Sequence, residues 1–503
     1  MSRLETLKTI AKVQISHEYE RCQGPVRASN LFHVHKFGGS SLVDPEAFFR
    51  VAEIVVREAG RHSGSQTIVV LSARGGLTDQ LHELYDAGLK GSDCSIQLRR
   101  LRDEQLGFIR QLFFSIHEAR ATPKGPELRR AVLELDRDLA WVERRLRELA
   151  ILSDTRKTIY AQIVGLGEIW SARLFSQMLQ SLGFPSGWLN ARSFLYALPN
   201  GGSKDIDFER SQESWKRSLS EVQSPFTIVT GYVSTTSDGL PSTLGRNGSD
   251  FSAALVARLA SAESLTIWSD VDGILSIDPD LQEPAVHLDV ISYCEADELA
   301  RLGAGVLHSH TVRPLRHTST HLLLKNSLDQ EINGSRICRD SHSQAGVVTG
   351  LSEIRILILH AEEDVISNLN LRDSGLSLLT HRAVGNQLFL AFEVQETRTV
   401  FSWLRSIRNT GNYDSLRLGQ MLTGCLVAWV RHDIASDCAA NSLWQSWMKK
   451  AGRQLVFETQ TEHALIGMLR IRGHAIPTRL IHRKVLEEYR CQVPTNSSIS
   501  KVS

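Results

Sequence analysis

The chain has 503 residues, 42% hydrophobic and 22% charged, which is enough for two or three globular domains. A formal net charge of +1 gives no electrostatic case for nucleic acid or an anionic membrane surface, and no apolar run reaches the roughly 18 residues needed to span a bilayer. Seven cysteines, scattered from Cys22 to Cys491 without a C-x-x-C pair, predict reduced thiols in a cytoplasmic protein and no structural zinc site.

Residues 1–30 mix charged side chains with short apolar pieces, so they read as an N-terminal extension and not as a secretory signal. Leu31 to Val34 predicts a short strand, which delivers Lys36 and turns on Gly38 and Gly39, through Ser40 and Ser41, into a helix from Pro45 to Ala59. Glycines at a strand end let backbone N–H groups approach an anion, the following helix adds its positive end, and a lysine there supplies a compact cation for phosphate. The lysine precedes the glycines, so the loop is not of the Walker type, and a turn of this kind also serves packing alone.

Gln66 to Leu71 is a β-branched run, typical of a strand buried on both faces of a parallel sheet, and it ends in a second small-residue loop carrying Ser72 and Thr78. Strands that end in such loops, each followed by helix, describe an open α/β sheet whose ligands bind at the carboxyl ends of the strands. Amphipathic patterns from Ile96 to His117 and from Leu128 to Leu149, separated by Pro123-Lys124-Gly125-Pro126, predict a helical hairpin at about residues 95–150. Its basic residues interleave with acids, which describes a solvated face packed by one apolar stripe; three heptads also admit a short coiled coil.

Gly167-Glu168 opens another helical pattern, where a carboxylate either caps the helix or meets a substrate ammonium. Phe226 to Tyr232 reads as a further buried strand and leads to Leu244-Gly245-Arg246-Asn247-Gly248-Ser249-Asp250, which opens a helix. An arginine between glycines is poorly suited to packing; Arg246 has the fork to grip a carboxylate, and Asp250 can orient a lysine or an ammonium. Leu265 to Asp270 is a strand ending on Ser269 and Asp270, His308 reads as a structural residue on a helix, and Leu322 to Lys325 as the closing strand. Beyond Gly346, short apolar runs alternate with helical stretches and predict two small α+β units, followed by a polar, disordered tail at 491–503.

At one sheet edge these loops offer two cations, several hydroxyls and the carboxylates Glu168, Asp250 and Asp270, with no Ser-His-Asp or Cys-His set. Phosphoryl transfer runs on such an inventory, because positioning and charge neutralisation supply most of the catalysis. A carboxylate acceptor is already ionised at neutral pH and needs no general base.

Lys36-Phe37-Gly38-Gly39-Ser40-Ser41, Leu71-Ser72-Ala73 with Thr78, Gly167-Glu168-x-x-Ser171, Leu244 to Asp250, and Trp268-Ser269-Asp270-Val271-x-Gly273 together resemble the aspartokinases, in that family's order across about residues 31–345. The Asn247 form of the glycine loop and the run Ile169 to Leu174 look most like the kinase half of bifunctional aspartokinase–homoserine dehydrogenase II. No dinucleotide loop remains, so dehydrogenase activity is not expected. The resemblance implies an amino-acid-kinase αβα sandwich with a mainly parallel central sheet over 31–345, then two ACT-like regulatory modules over 350–490 that pair edge to edge in a homodimer. It implies transfer of the ATP γ-phosphoryl group to the β-carboxylate of L-aspartate, the first step toward lysine, threonine and methionine, with magnesium carried by the nucleotide phosphates and no metal held by the protein.

Residue by residue, the resemblance puts Lys36, Gly38, Gly39 and Ser40 around the transferring phosphate and Ser269 and Asp270 along ATP. It gives Ser72, Thr78, Glu168, Arg246 and Ser249 to aspartate, with Arg246 on a carboxylate and Glu168 on the ammonium, while Asp250 orders Lys36. Three departures fall on the nucleotide side: Leu275 for tyrosine, Asp280 for arginine, and Gly305 for lysine. They weaken ATP binding by about one or two orders of magnitude unless Arg313 or Arg316 compensates. An alternative is therefore a regulatory or amino-acid-binding protein that keeps the aspartate site without productive ATP binding. A kinase acting on glutamate is a third.

Overall fold

The structure, a computed structural model, describes residues 31–62, 64–120, 126–149, 155–198, 205–281, 285–302, 307, 309–339, 346–369, 371, 376, 378–408, 415–470 and 473–490. The N-terminal extension, the tail, the hairpin turn at 121–125, Gly305 and His308 lie outside the described residues. The chain divides into two compact units, one of residues 1–272 and 313–336 and the other of residues 273–312 and 337–503.

In the first unit six strands, β1 (Phe32–Phe37), β2 (Gln66–Leu71), β3 (Ser186–Leu189), β4 (Phe226–Thr230), β5 (Ser264–Ser269) and β6 (His321–Asn326), run parallel in the order β6-β5-β1-β2-β4-β3. Their side chains alternate between two buried faces. Phe37, Val69, Leu71, Phe226, Ile228 and Trp268 join one core cluster, in which the Phe37 and Trp268 rings stack at 5.8 Å. The residues between them, Val34, Ile68, Val70, Val229, Leu265 and Ile267, are buried on the opposite face. That alternation is why these strands read as continuous apolar runs.

The first face is covered by α1 (Pro45–Arg61), α2 (Leu77–Leu89), α3 (Ser95–Arg120), α4 (Pro126–Leu149), α5 (Arg156–Val164) and α6 (Leu166–Ser181), all of which contribute to the same cluster. Helix α1 starts cleanly: the Asp44 side chain accepts the Ala47 N–H at 2.8 Å and Pro45 occupies the first helical position. Helices α3 and α4 form the expected hairpin, tied by Arg102 to Asp136 at 2.7 Å, and Leu135, Leu139, Val142, Leu146 and Leu149 bury their stripe in the core. The stripe thus packs on its own unit, and its first buried member is Ala131, with Val132 partly buried. Arg173 of α6 is buried beneath α4 and pairs with Asp138 at 2.6 Å.

Helix α7 (Phe208–Glu221) follows β3, and α8 (Gly248–Leu259) packs on β1, β2 and β5. None of the residues of α8 belongs to the first-face cluster, so it covers the other face. A small sheet of Tyr196–Ala197, Val233–Thr236 and Pro241–Thr243 leads the chain from β4 to α8.

The second unit is built on an antiparallel sheet of β7 (Val347–His360), β8 (Thr380–Val384), β9 (Gln387–Glu393), β10 (Arg417–Val430), β11 (Leu455–Gln460) and β12 (Ala464–Leu469), ordered β8-β9-β7-β10-β12-β11. The two α+β units expected beyond Gly346 therefore share one continuous sheet, because β7 and β10 each run 14 residues. Two separate cores remain. Leu357, Leu359, Leu390 and Phe392 pack with Val400 and Leu404 of the helix Thr397–Arg408, while Val427, Trp429 and Leu465 pack with Trp444 and Met448 of the helix Cys438–Ala451. A register shift between Leu351 and Ile354 divides β7 between them.

Residues 273–312 group with this second unit, whereas the resemblance runs its catalytic region to 345. They are held there by Val348 N–H to the Ser276 carbonyl and Ser276 Oγ to His482 Nε2, both at 2.9 Å. The His432 N–H donates to Glu295 at 3.2 Å.

Candidate functional site

Strand β1 is flanked by β2, which the chain reaches next, and by β5, which it reaches only after the other half of the sheet is built. The crevice at the carboxyl ends of β1 and β5 is thus a topological switch point, where open parallel sheets bind their ligands. Lys36 sits one residue before the end of β1 and Ser269 ends β5, with Phe37 and Trp268 in register between them.

Lys36 shares the face of Val34, so its side chain runs under α8. It is only 8% exposed, and its Nζ lies 2.5 Å from Asp250 Oδ1. The turn that opens α8 makes this possible: Asn247 takes a left-handed conformation (φ +57°), which puts Asp250 in the first helical turn, where the helix end favours an acid. The carboxylate holds the buried ammonium in one place.

The phosphate-side loop is closely fitted to its neighbour. A Cβ on Gly39 would stand 3.0 Å from the Ala73 carbonyl oxygen, and one on Gly38 would stand 3.3 Å from Lys36 Nζ. The Ser72 N–H donates to the Phe37 carbonyl at 3.1 Å, and Arg74 Nη1 donates to the Val43 carbonyl at 3.0 Å. Ser40 is exposed on the short turn Gly39–Leu42 beside this cradle, while the adjacent Ser41 is buried and bonded to Ser327 at 3.0 Å. Ser72 on the β2–α2 connection and Thr78 in the first turn of α2 are half-buried.

Glu168 lies in the first turn of α6 and is 4% exposed. Gly167 brings this turn against Ala73, where a Cβ would meet that of Ala73 at 2.6 Å. Burial pushes the Glu168 carboxyl up to about 7, against the pull of its own backbone N–H, the Ala73 N–H and the Arg192 charge. Its Oε2 is buried without a hydrogen-bond partner. Ser249 packs on the end of β4, its Oγ 2.7 Å from where a Gly231 Cβ would be. Across the crevice, Ser269 Oγ donates to Asp270 Oδ1 at 3.0 Å.

The structure therefore brings together Lys36, Gly38, Gly39, Asp250 and Ser249 at the ends of β1 and β4, with Glu168 against the β2 loop. Arg246 is exposed on the turn before α8, and among the described residues it has no ion-pair partner. Leu275 and Asp280 belong to the second unit, Asp280 exposed with its N–H donating to Asp278 at 3.0 Å. Sequence reasoning missed Arg192 and Tyr232. Arg192 follows an Asn190 that caps its turn, and Tyr232 adopts φ +63°, a strained conformation for an aromatic residue, just after a strand end. Burial pushes the Tyr232 hydroxyl up to about 12.

Among the described residues one trio, His432, Asp433 and His463, has metal-ligand types in proximity. The Asp433 N–H donates to His463 Nδ1 at 3.2 Å, which places the ring proton on Nε2 and leaves that imidazole badly disposed as a metal ligand.

The amino acid kinase family profile matches residues 32–326. The chain belongs to the amino acid kinase family. Within that family its likeness is to the aspartokinases. It is 30% identical over 334 residues to a chloroplastic bifunctional aspartokinase/homoserine dehydrogenase 1 of Zea mays, covering 66% of this chain and 35% of the relative. It is 30% identical over 452 residues to the bifunctional aspartokinase/homoserine dehydrogenase 2 of Escherichia coli, covering 87% of this chain and 52% of the relative. The chain thus matches 35% and 52% of the length of these two relatives. A crystal structure of E. coli aspartokinase III in complex with aspartate and ADP superposes with a TM-score of 0.72 at 23% identity, covering 91% of this chain and 99% of that one. The amino-acid-kinase fold and the antiparallel region after it are both within that match.

Proposed function

We propose that this chain is an ATP-dependent aspartate kinase, transferring the γ-phosphoryl group to the β-carboxylate of L-aspartate to give 4-phospho-L-aspartate. The observation that carries the reading is the Lys36–Asp250 pair at the switch point of the sheet, with a buried Glu168 in the first turn of α6. The reaction needs a fixed cation where negative charge gathers, a backbone cradle for phosphate and a partner for an ammonium. It needs no base, because the attacking oxygen belongs to an ionised carboxylate.

In this reading Lys36 neutralises charge on the transferring phosphoryl group, and Asp250 fixes its Nζ. Gly38 and Gly39, where a Cβ would be tight against Lys36 Nζ and the Ala73 carbonyl, lay the backbone against the phosphates, with Ser40 beside them and Ser269 and Asp270 along the nucleotide. Glu168 meets the substrate ammonium, Arg246 closes on a substrate carboxylate, and Ser72, Thr78 and Ser249 supply hydroxyl contacts. Magnesium would come as part of the ATP substrate and supply positive charge to its phosphates.

Residues 31–345 would form the catalytic domain, with 350–490 as ACT-like modules that bind an amino-acid effector and join two copies. No helix of the described residues is long and apolar enough to cross a membrane, and the five described cysteines are free, which supports a cytoplasmic setting. Calorimetry on the purified chain separates this reading from a binding protein. Titration with aspartate and with magnesium-ATP is expected to show heat for both; aspartate heat alone would mean that ATP binding has been lost. A panel of aspartate, glutamate and asparagine is expected to give turnover with aspartate only.

A further inference from the structure

We infer that Arg192 is a positioning residue for Glu168: its guanidinium, inserted at the junction of α5 and α6, fixes the turn that carries Glu168 and sets a positive charge near that buried carboxylate. The inference rests on the proposed role of Glu168 as partner of the substrate ammonium.

Arg192 is itself firmly placed. Its N–H donates to Asn190 Oδ1 at 3.1 Å, the preceding Ala191 N–H donates to Thr230 Oγ1 at 2.8 Å, and its carbonyl accepts from Thr235 Oγ1 at 2.8 Å. The side chain thus leaves a turn tied to the end of β4 and to the small sheet. Its Nη2 reaches the Ala161 carbonyl at 2.6 Å, in the last turn of α5, where a cation also answers the negative end of the helix. Gly165, which ends α5 and starts α6, accommodates this approach: a Cβ there would stand 2.5 Å from Arg192 Nη2 and 2.6 Å from Val233 Cγ1. The φ of Gly165 is an ordinary −76°, so the approach of Arg192, and not the backbone angle, calls for glycine. Three residues later comes Glu168.

No direct ion pair joins the two side chains. Arg192 Nε and Glu168 Oε2 are both buried without a hydrogen-bond partner, so the charges act on each other through space in a poorly solvated interior. The groups facing Glu168 are its own N–H and that of Ala73, Arg192, and the neutral phenol of Tyr232. Behind Tyr232 stands Tyr160, whose hydroxyl lies 3.2 Å from His82 Nδ1. Arg192 is the full positive charge in this set. Burial draws it down only to about 10, so it remains a cation at neutral pH. Without it, burial would drive the Glu168 carboxyl further up and leave it protonated, a form that cannot pair with an ammonium group.

The test compares wild type with Arg192→Lys, Arg192→Gln and Arg192→Met. Carboxyl ¹³C NMR of glutamate-labelled protein, assigned with Glu168→Gln, follows the Glu168 titration with no substrate present. The wild type and Arg192→Lys are expected to titrate near the same pH, and Arg192→Gln and Arg192→Met about one pH unit higher. The acid limb of kcat/KM for aspartate is expected to move by the same amount in the same variants, and a lysine that restores the limb marks a charge effect. An unmoved titration in both neutral variants, or an activity loss equal at every pH, would overturn the inference and leave Arg192 as packing. Arg192→Gln keeps a donor and half the length, so it serves if the methionine variant fails to fold. A displaced titration in a protein that phosphorylates no aspartate at any pH would sink the substrate reading while leaving the electrostatic link standing.

Discussion

Lys36 and Asp250 lie more than two hundred residues apart in the sequence, and each fixes the other: the ammonium without its carboxylate would be buried unpaired, and the carboxylate without its ammonium would lose its orientation. Lys36→Ala is expected to lower kcat by about 10²–10³, the scale of one preorganised donor, with the circular dichroism spectrum unchanged. Unaltered turnover in that variant would remove Lys36 from the mechanism. Glu168 makes a separate prediction about stability. Its folded-state value lies above the ordinary one, so the native protein binds the proton more tightly than the unfolded chain does. Its contribution is therefore full below about pH 4.5 and is lost as the pH rises through about 7. Glu168→Gln, which cannot ionise, is expected to melt several degrees above the wild type at pH 8 and by a smaller margin at pH 5.5. A difference that does not depend on pH would contradict the assigned ionisation. Lys36, Glu168 and Asp250 were legible in the sequence because each stands beside glycines at a predicted strand end or helix start. Arg192 was not, since its partners are the Ala161 carbonyl and a through-space charge, neither of which leaves a spacing pattern.

Two of the parallel strands could be read nearly to the residue, because burial on both faces writes them as unbroken apolar runs: Gln66–Leu71 was found at its observed limits and Phe226–Thr230 within two residues, whereas β1 runs three residues beyond the expected Val34 and the short edge strand β3, with Gly187 in it, was missed. The long strands β7 and β10 were seen only in part. Ser352 and Glu353 in β7, and Arg417 and Gln420 in β10, are exposed and interrupt the pattern, so the sequence showed two half-strands' worth of apolar residues and not the continuous sheet. The edge strand Thr380–Val384 was missed altogether because its last four residues are exposed. At this scale, the fit of α6 to the β2 loop is testable. Gly167→Ala would set a methyl group 2.6 Å from Ala73 Cβ, and overpacking of that kind costs about 1–3 kcal/mol. Urea unfolding is expected to show the loss, together with a raised KM for aspartate as Glu168 shifts. Arg173→Met, which takes the buried cation from Asp138 while Trp170 Nε1 still donates to that carboxylate at 3.0 Å, is expected to cost about 1–3 kcal/mol in the same measurement with little change in KM.

The change in texture near Gly346 pointed to an α/β region followed by two small α+β units, and did not show that these share one antiparallel sheet. Nor was the assignment of residues 273–312 to the second unit legible, because hydrogen bonds such as Ser276 to His482 join segments some two hundred residues apart. ACT-like modules that pair edge to edge imply a dimer, so sedimentation at micromolar concentration is expected to give twice the 56.2 kDa of one chain. A monomer would remove the edge-pairing proposal and leave the catalytic one untouched. The proposed reaction makes a single bond, from phosphorus to an aspartate side-chain oxygen, beside Lys36. Hydroxylamine traps the acyl phosphate so formed, so purified protein incubated with aspartate, hydroxylamine and magnesium-ATP over a wide ATP range reports it directly. Aspartyl β-hydroxamate is expected in proportion to ADP, abolished or nearly so in Lys36→Ala; an absence of hydroxamate at saturating ATP, with aspartate bound, would contradict phosphoryl transfer to aspartate.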